Sequence, residues 1–424
     1  MAERVLITGT GAVCASGMTP EAILDAVVSR QSAIRTIEGF DTTHWPVRLA
    51  AEVPGYSPRA LVDDRKLHKF IRRTDFFGIY AGDRAVAAAS YAEHRAKLSA
   101  ADARRFSDET GVYVGSGGGA FENQYDYFPL MTETQGDLHK FGEELGNVVN
   151  PMWLLRTLPN NVLCHVGIRN ELRGSNACIT NHSCGGALAV IEATEALRNG
   201  EAARAIAIGH ETPIEPQNVL YYYQCGLLGS EAIRPFDERR DGSLFGEGAA
   251  ALALETAASA QARGVVAFGE VLGGGHAAEA AGLLAIREDG DGVERAVRAA
   301  LADAHLAPAD VGMIVAHGNG TRLSDASEAA ALRRVFGDGM PPVTAMKWAF
   351  GHLIAAAGIL EAVVALHAMR AGTVPGIPTL RTVDPACEGV RVSSEPQKPR
   401  SDIALIVCRG FASTDAALVI RALR

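Results

Sequence analysis

Apolar and polar positions follow two periods along this chain, and the two take turns. Runs rich in β-branched and small apolar residues read as buried strands: RVLITGTG at 4–11, TGVYVGSGGG at 110–119, ARAIAIGHET at 203–212 and AAALALET at 249–256. VGMIVAHGNGT at 311–321, IALIVCRGF at 403–411 and DAALVIRAL at 415–423 continue the set. Between them, helical spacing predicts helices around 21–30, 66–91, 184–199, 291–305, 325–336 and 353–370. Strands alternating with helices predict an α/β protein with covered sheets. The two parts of the chain share an outline: a strand ending in a glycine-rich turn, a helix, then an apolar strand with a hairpin partner. A duplicated architecture follows, with a seam near residue 258, halves of 1–257 and 258–424, and AASAQARGVV as the crossover.

Two long spans do not fit the alternation. Residues 116–160 are too aromatic and apolar for a solvated linker, and 212–247, with Tyr221, Tyr222 and Tyr223 and the turn-rich RPFDERRDG, predict structured loops over a pocket mouth. The opening strand carries Gly9, Gly11 and Gly17, which invites a dinucleotide-binding reading. The third glycine of that fingerprint belongs at position 14, where Cys14 stands, so the fingerprint is incomplete.

Composition narrows the class. The chain has 424 residues, 48% hydrophobic and 21% charged, enough for two sizeable cores. A net charge of -9 argues against non-specific nucleic-acid binding while leaving room for a local basic patch. No signal peptide opens the chain and no stretch approaches eighteen uninterrupted apolar residues, so neither secretion nor a membrane span is expected and the predicted location is cytoplasmic. Seven scattered cysteines suit a reducing compartment, and no Cys-x-x-Cys or His-x-x-x-His pair suggests a metal.

Cys184 lies where the polar stretch NACITNHS gives way to GGALAVIEATEALRNG, a helix apolar on nearly every face and closed by Gly200. A helix N-terminus favours a thiolate, and Gly185 and Gly186 admit an acyl group close to the backbone. Read alone, the segment fits either a nucleophile or a small core hydrophobe. His317, at the end of an apolar strand, and His352, before an alanine-rich helix, add two rings expected to stay neutral and to donate from Nε2. Lys347 and Glu361 lie in the same apolar company, where a lysine needs an anion nearby. One nucleophile with two neutral donors describes thioester chemistry with carbanion stabilisation.

Four motifs, NHSCGG, RPFDERRDG with GEGAA, AHGNGT with its following Asp and Glu, and K…GHLIAAAG…E, resemble end to end the β-ketoacyl synthases of the thiolase-like superfamily. The resemblance is to the elongating, discrete type with a Cys–His–His set. It implies a duplicated thiolase-like fold, layered α-β-α-β-α with two mixed sheets and a buried central helix layer. It also implies decarboxylative Claisen condensation without cofactor or metal. By that resemblance Cys184 accepts the acyl group, and His317 and His352 promote decarboxylation of malonyl carrier protein and stabilise the enolate. Lys347 orders the site, Glu361 and Glu328 are its acidic partners, and Asp325 is structural. Backbone N–H groups of Cys184 and Phe411 form the oxyanion hole, Phe411 also gates, and Gly118 lines the acyl pocket. Lys69, Arg72 and Arg73 dock an acidic acyl carrier protein.

Departures from the family pattern are His182 and Ser183 before the nucleophile, CRGFASTD in place of FGFGGTN, with Ala412 and Ser413 for glycines, and Gly118 at a position often bulky. A deeper tunnel and specialised polyene or polyketide metabolism follow as expectations. A dimer is implied, either a homodimer or a heterodimer with a related chain-length-factor subunit. Two other readings remain: a thiolase, with Cys408 as second cysteine, or a non-catalytic chain-length-factor-like partner.

Overall fold

The computed structural model describes residues 3–117, 127–411 and 414–423. Ten strands form its main sheet: β1 (Val5–Cys14), β2 (Thr110–Ser116), β3 (Asn176–Ile179), β4 (Arg204–Glu211), β5 (Gly248–Thr256), β6 (Gly269–Ala278), β7 (Met313–Val315), β8 (Val343–Thr344), β9 (Ile403–Gly410) and β10 (Thr414–Ala422). Their spatial order is β8-β7-β9-β10-β6-β1-β5-β4-β2-β3. The sheet is two five-stranded mixed halves, joined only where β1 meets β6 through three residue pairs from Val5–Val271 to Ile7–Gly269. Within each half the first three strands pair antiparallel and the last two add in parallel, so the halves repeat one topology.

The helices that matter to the site are α1 (Pro20–Val28), α2 (Arg73–Ala88), α3 (Gly185–Arg198), α4 (Pro216–Gln224), α5 (Asp291–Asp303), α6 (Arg322–Phe336) and α7 (Ala357–Arg370). α3 and α7 pack on each other and against strands of both halves, forming the buried central layer of an α-β-α-β-α stack. Their apolar residues face sheet on either side, which is why neither shows a polar stripe. α2 covers the outer face of one half, and α5 with α6 the other. Close approach explains the glycines of the incomplete dinucleotide motif: a Cβ on Gly11 would stand 2.1 Å from the Ala81 carbonyl oxygen of α2. Gly275 plays the matching part in the other half, where a Cβ would meet α5 backbone at 2.4 Å.

The expected helix over 66–91 is broken. A 3₁₀ turn at Leu67–Lys69 is followed by extended backbone at Arg72, whose N–H donates to Asp75 at 2.8 Å, and α2 starts only at Arg73. No helix among the described residues is long and apolar enough to cross a membrane.

His210, at the end of β4, is buried with Nδ1 at Thr74 Oγ1 (2.9 Å), and burial pushes its ring down to about 3. An unfolded histidine titrates near 6.5, so between about 6.5 and 3 the unfolded chain binds the extra proton. The stability held above pH 6.5 is therefore lost as pH falls, by up to about 1.4 kcal/mol per pH unit. Urea unfolding of wild type against His210→Gln, compared at pH 7.5 and 5.5, shows this as a loss larger in wild type than in the variant by about 1.4 kcal/mol.

Candidate active site

Four chain segments converge at the C-terminal ends of β3, β7 and β9. After β3 a 3₁₀ turn, His182–Cys184, leads into α3, with Cys184 as the cap residue and fully buried. His317 follows β7 and His352 precedes α7, both buried, with ring centroids 5.2 Å apart and planes at 74°. Phe411 follows β9. Around them lies a cavity of about 60 Å³ whose lining includes His182, Ser183, Tyr222, His317, His352 and Phe411. That volume is room for roughly four waters.

Backbone donors fix the tautomers. Arg409 N–H donates to His317 Nδ1 at 3.3 Å and Ile354 N–H to His352 Nδ1 at 3.1 Å, so both rings carry their proton on Nε2. Burial, with the Lys347 ammonium beside them, holds both well below the usual histidine range and hence neutral. No helix dipole is needed to keep His352 neutral. α7 begins five residues later, and the ring is fixed by the Ile354 N–H while a backbone bridge to Phe245 holds the main chain.

A buried frame positions His317. Lys347 Nζ donates to the His317 carbonyl (2.7 Å) and to Glu361 (2.8 Å), both side chains being fully buried. Glu328 accepts from His317 N–H (2.7 Å) and Gly318 N–H (3.0 Å). Asp325 accepts from Phe236 and Gly320 N–H. Lys347→Met leaves Glu361 buried without its cation and lowers stability by about 3–5 kcal/mol, whereas Lys347→Met combined with Glu361→Leu regains most of it. Denaturant melts of the three proteins read this directly.

Both halves of the chain match descriptions of one family: β-ketoacyl synthase, N-terminal domain, over residues 2–260, and its C-terminal domain over 268–381. The chain belongs to the β-ketoacyl synthase family. A 3-oxoacyl-[acyl-carrier-protein] synthase 2 of Rhizobium meliloti (strain 1021) is 32% identical over 438 residues, 99% of each chain. The solved ishigamide ketosynthase/chain length factor and a β-ketoacyl synthase from Burkholderia phymatum STM815 superpose with TM-score 0.87 at 26% identity, covering all of both chains.

Within this ketosynthase several expected features are arranged differently. Neither expected oxyanion donor is free: Cys184 N–H closes its 3₁₀ turn onto the Asn181 carbonyl (3.1 Å), and Phe411 N–H donates to His182 Nδ1 (3.1 Å). Nor is the Cys184 thiol depressed by the helix N-terminus. Complete burial pushes it well above the ordinary range, with Cys408 and Asp415 adding to the rise, and its proton rests on the Thr414 carbonyl (3.4 Å). Of the three expected docking cations, Lys69 is exposed, beside Arg65 and Lys66 on the same turn. Arg72 is buried, and Arg73 is paired to Glu247 and laid over the Tyr56 ring, so neither stands free for a carrier. Gly118, Ala412 and Ser413 lie outside the described residues.

Sequence reasoning missed Arg409. Its guanidinium is buried against Asp415 (2.9 Å), Glu279 (3.1 Å) and Ser327, which ties the end of β9 to the start of β10 and to the segment covering the cavity. The signal was present as a lone arginine in an apolar strand with an aspartate six residues on. Leu283 and Leu284, exposed at the cavity rim, were also unread.

Proposed function

We propose that Cys184 takes an acyl group from a carrier-protein thioester and that His317 and His352 then act on malonyl carrier protein. In the first step the Cys184 sulfur attacks the thioester carbonyl, the carrier thiol leaves, and the thiol proton passes to it. In the second the malonyl carboxylate leaves as CO₂, and its bond electrons form an enolate whose oxygen the two Nε2–H groups face. The enolate carbon attacks the acyl-Cys184 carbonyl, releasing the Cys184 thiolate and a β-ketoacyl carrier. The observation that carries this reading is the pair of neutral rings, each locked as an Nε2–H donor in one buried site against the turn that carries Cys184, where Ser183 Oγ lies 3.4 Å from His352 Nε2. Two locked donors cannot serve as bases for the thiol, and they suit a developing oxyanion.

Lys347, Glu361, Glu328 and Asp325 frame the donors, and Lys69 with its basic neighbours meets the acidic carrier. The reaction takes place in the cytoplasm. β3 is the outer strand of its half-sheet, with Leu155 and Ile168 exposed on adjoining segments, and this edge pairs with a second copy or with a related chain-length-factor subunit. Intact-mass analysis after incubation with acyl-loaded carrier gives an adduct mapping to the Cys184 peptide. A protein that never acylates, alone or with a co-expressed homologue, removes the catalytic reading and leaves the partner-subunit one.

A further inference from the structure

His182 makes contacts that no step above uses. Its ring lies flat on Phe411, centroids 4.1 Å apart and planes within 10°, and its Nδ1 accepts the Phe411 N–H at 3.1 Å. With that lone pair taken, the ring proton sits on Nε2, aimed at the Tyr222 hydroxyl 2.6 Å away. Tyr222 in turn stacks on Phe411 at 5.1 Å. Ser183 Oγ lies 3.0 Å from the same Nδ1 and 3.4 Å from His352 Nε2, linking this cluster to the donor pair. The backbone at His182 has φ of +43°, a left-handed conformation that side chains other than Asn, Asp and His seldom take.

We propose that His182 is a positioning residue that holds the Phe411 amide in the place of the substrate, so that an incoming thioester carbonyl must displace the imidazole from that N–H before Cys184 is acylated. The inference rests on Cys184 being the acyl acceptor. In the resting protein Nδ1 stands where the carbonyl oxygen would, and the Phe411 and Tyr222 rings close the cavity over it. Burial pushes the ring down to about 4, so near neutral pH it stays uncharged and Nδ1 remains an acceptor. Substrates able to supply both a carbonyl for the amide and apolar contact for the Phe411 ring replace what the imidazole provided. Small polar electrophiles do not, and the arrangement shields the thiol from them.

The test is the second-order rate of Cys184 alkylation by iodoacetamide, read by intact mass, with the modified peptide mapped. His182→Gly keeps the left-handed backbone and removes the ring, and the rate rises by about tenfold or more, the effect of losing one hydrogen bond and a stack on a closed state. Tyr222→Phe removes the Nε2 partner alone and gives a smaller rise. His182→Asn, which tolerates the backbone and keeps an acceptor, returns the rate toward wild type. Wild-type rates in both His182→Gly and Tyr222→Phe overturn the proposal, and if His182→Gly fails to fold, Tyr222→Phe decides. Alkylation does not depend on condensation, so a protein that alkylates as described yet never condenses refutes the proposed function and not the role of His182.

Discussion

Replacing Cys184 with alanine abolishes the acyl adduct and lowers condensation by at least about 10⁴-fold, the scale of losing a covalent nucleophile. The fold is expected to tolerate the change, because Cys184 is a small residue whose side chain gives up one long hydrogen bond, to the Thr414 carbonyl, and a single sulfur's packing. Decarboxylation of malonyl carrier protein persists in the variant, since the two Nε2–H donors and their frame are untouched. The pairing of a lost adduct with surviving CO₂ release separates a removed nucleophile from a damaged site. It is read by intact mass and by released CO₂ on the same preparation. Loss of both activities together assigns the effect to misfolding.

The histidines give the complementary result. His317→Ala and His352→Ala each slow decarboxylation and condensation by about 10²–10³-fold, the cost of one preorganised donor at a developing oxyanion. Acylation of Cys184 continues in both, because two rings locked as Nε2–H donors take no proton from the thiol. The frame around His317 holds its backbone through Lys347 and Glu328 and survives truncation of the ring. Each truncation leaves one buried backbone N–H without its ring acceptor, that of Arg409 for His317 and that of Ile354 for His352, which costs about 1–3 kcal/mol. Single-turnover acylation, CO₂ release and thermal melts on each variant resolve the three quantities.

The parts of this molecule legible in its sequence are those written locally. Cys184 could be placed because a polar turn meets an apolar helix within a few residues, and seven strands could be placed because each is a compact apolar run. Strand β6 escaped because Gly273, Gly274 and Gly275 break any alternation, and their reason lies in Ile191 of α3 and in the α5 backbone packed against them. Strands β3 and β8 were too short and too mixed to register. The docking residues matched by resemblance part for a related reason: Lys69 stays exposed, whereas the break before α2 turns Arg72 inward.

The site shows the same division. His317 and His352 were readable as neutral donors, yet what fixes their tautomers is two backbone N–H groups, one of them from a strand 92 residues away. The hold of His182 on the Phe411 amide joins positions 229 residues apart. No local pattern encodes such a contact, and it is the reason the Phe411 donor implied by the resemblance is engaged in the resting protein. Complete burial likewise reverses the expected effect of the helix N-terminus on the Cys184 thiol, because desolvation outweighs a dipole that acts on a group with no solvent around it.

The central claim is decarboxylative condensation through an acyl group on Cys184, and one measurement meets it directly. Enzyme isolated with its acyl group on Cys184 is mixed with malonyl carrier protein, and CO₂, β-ketoacyl carrier and remaining acyl-enzyme are counted over a single turnover. The account predicts one CO₂ and one β-ketoacyl carrier for each acyl group lost. Acyl-enzyme that persists while product accumulates, or product formed without CO₂, would contradict it.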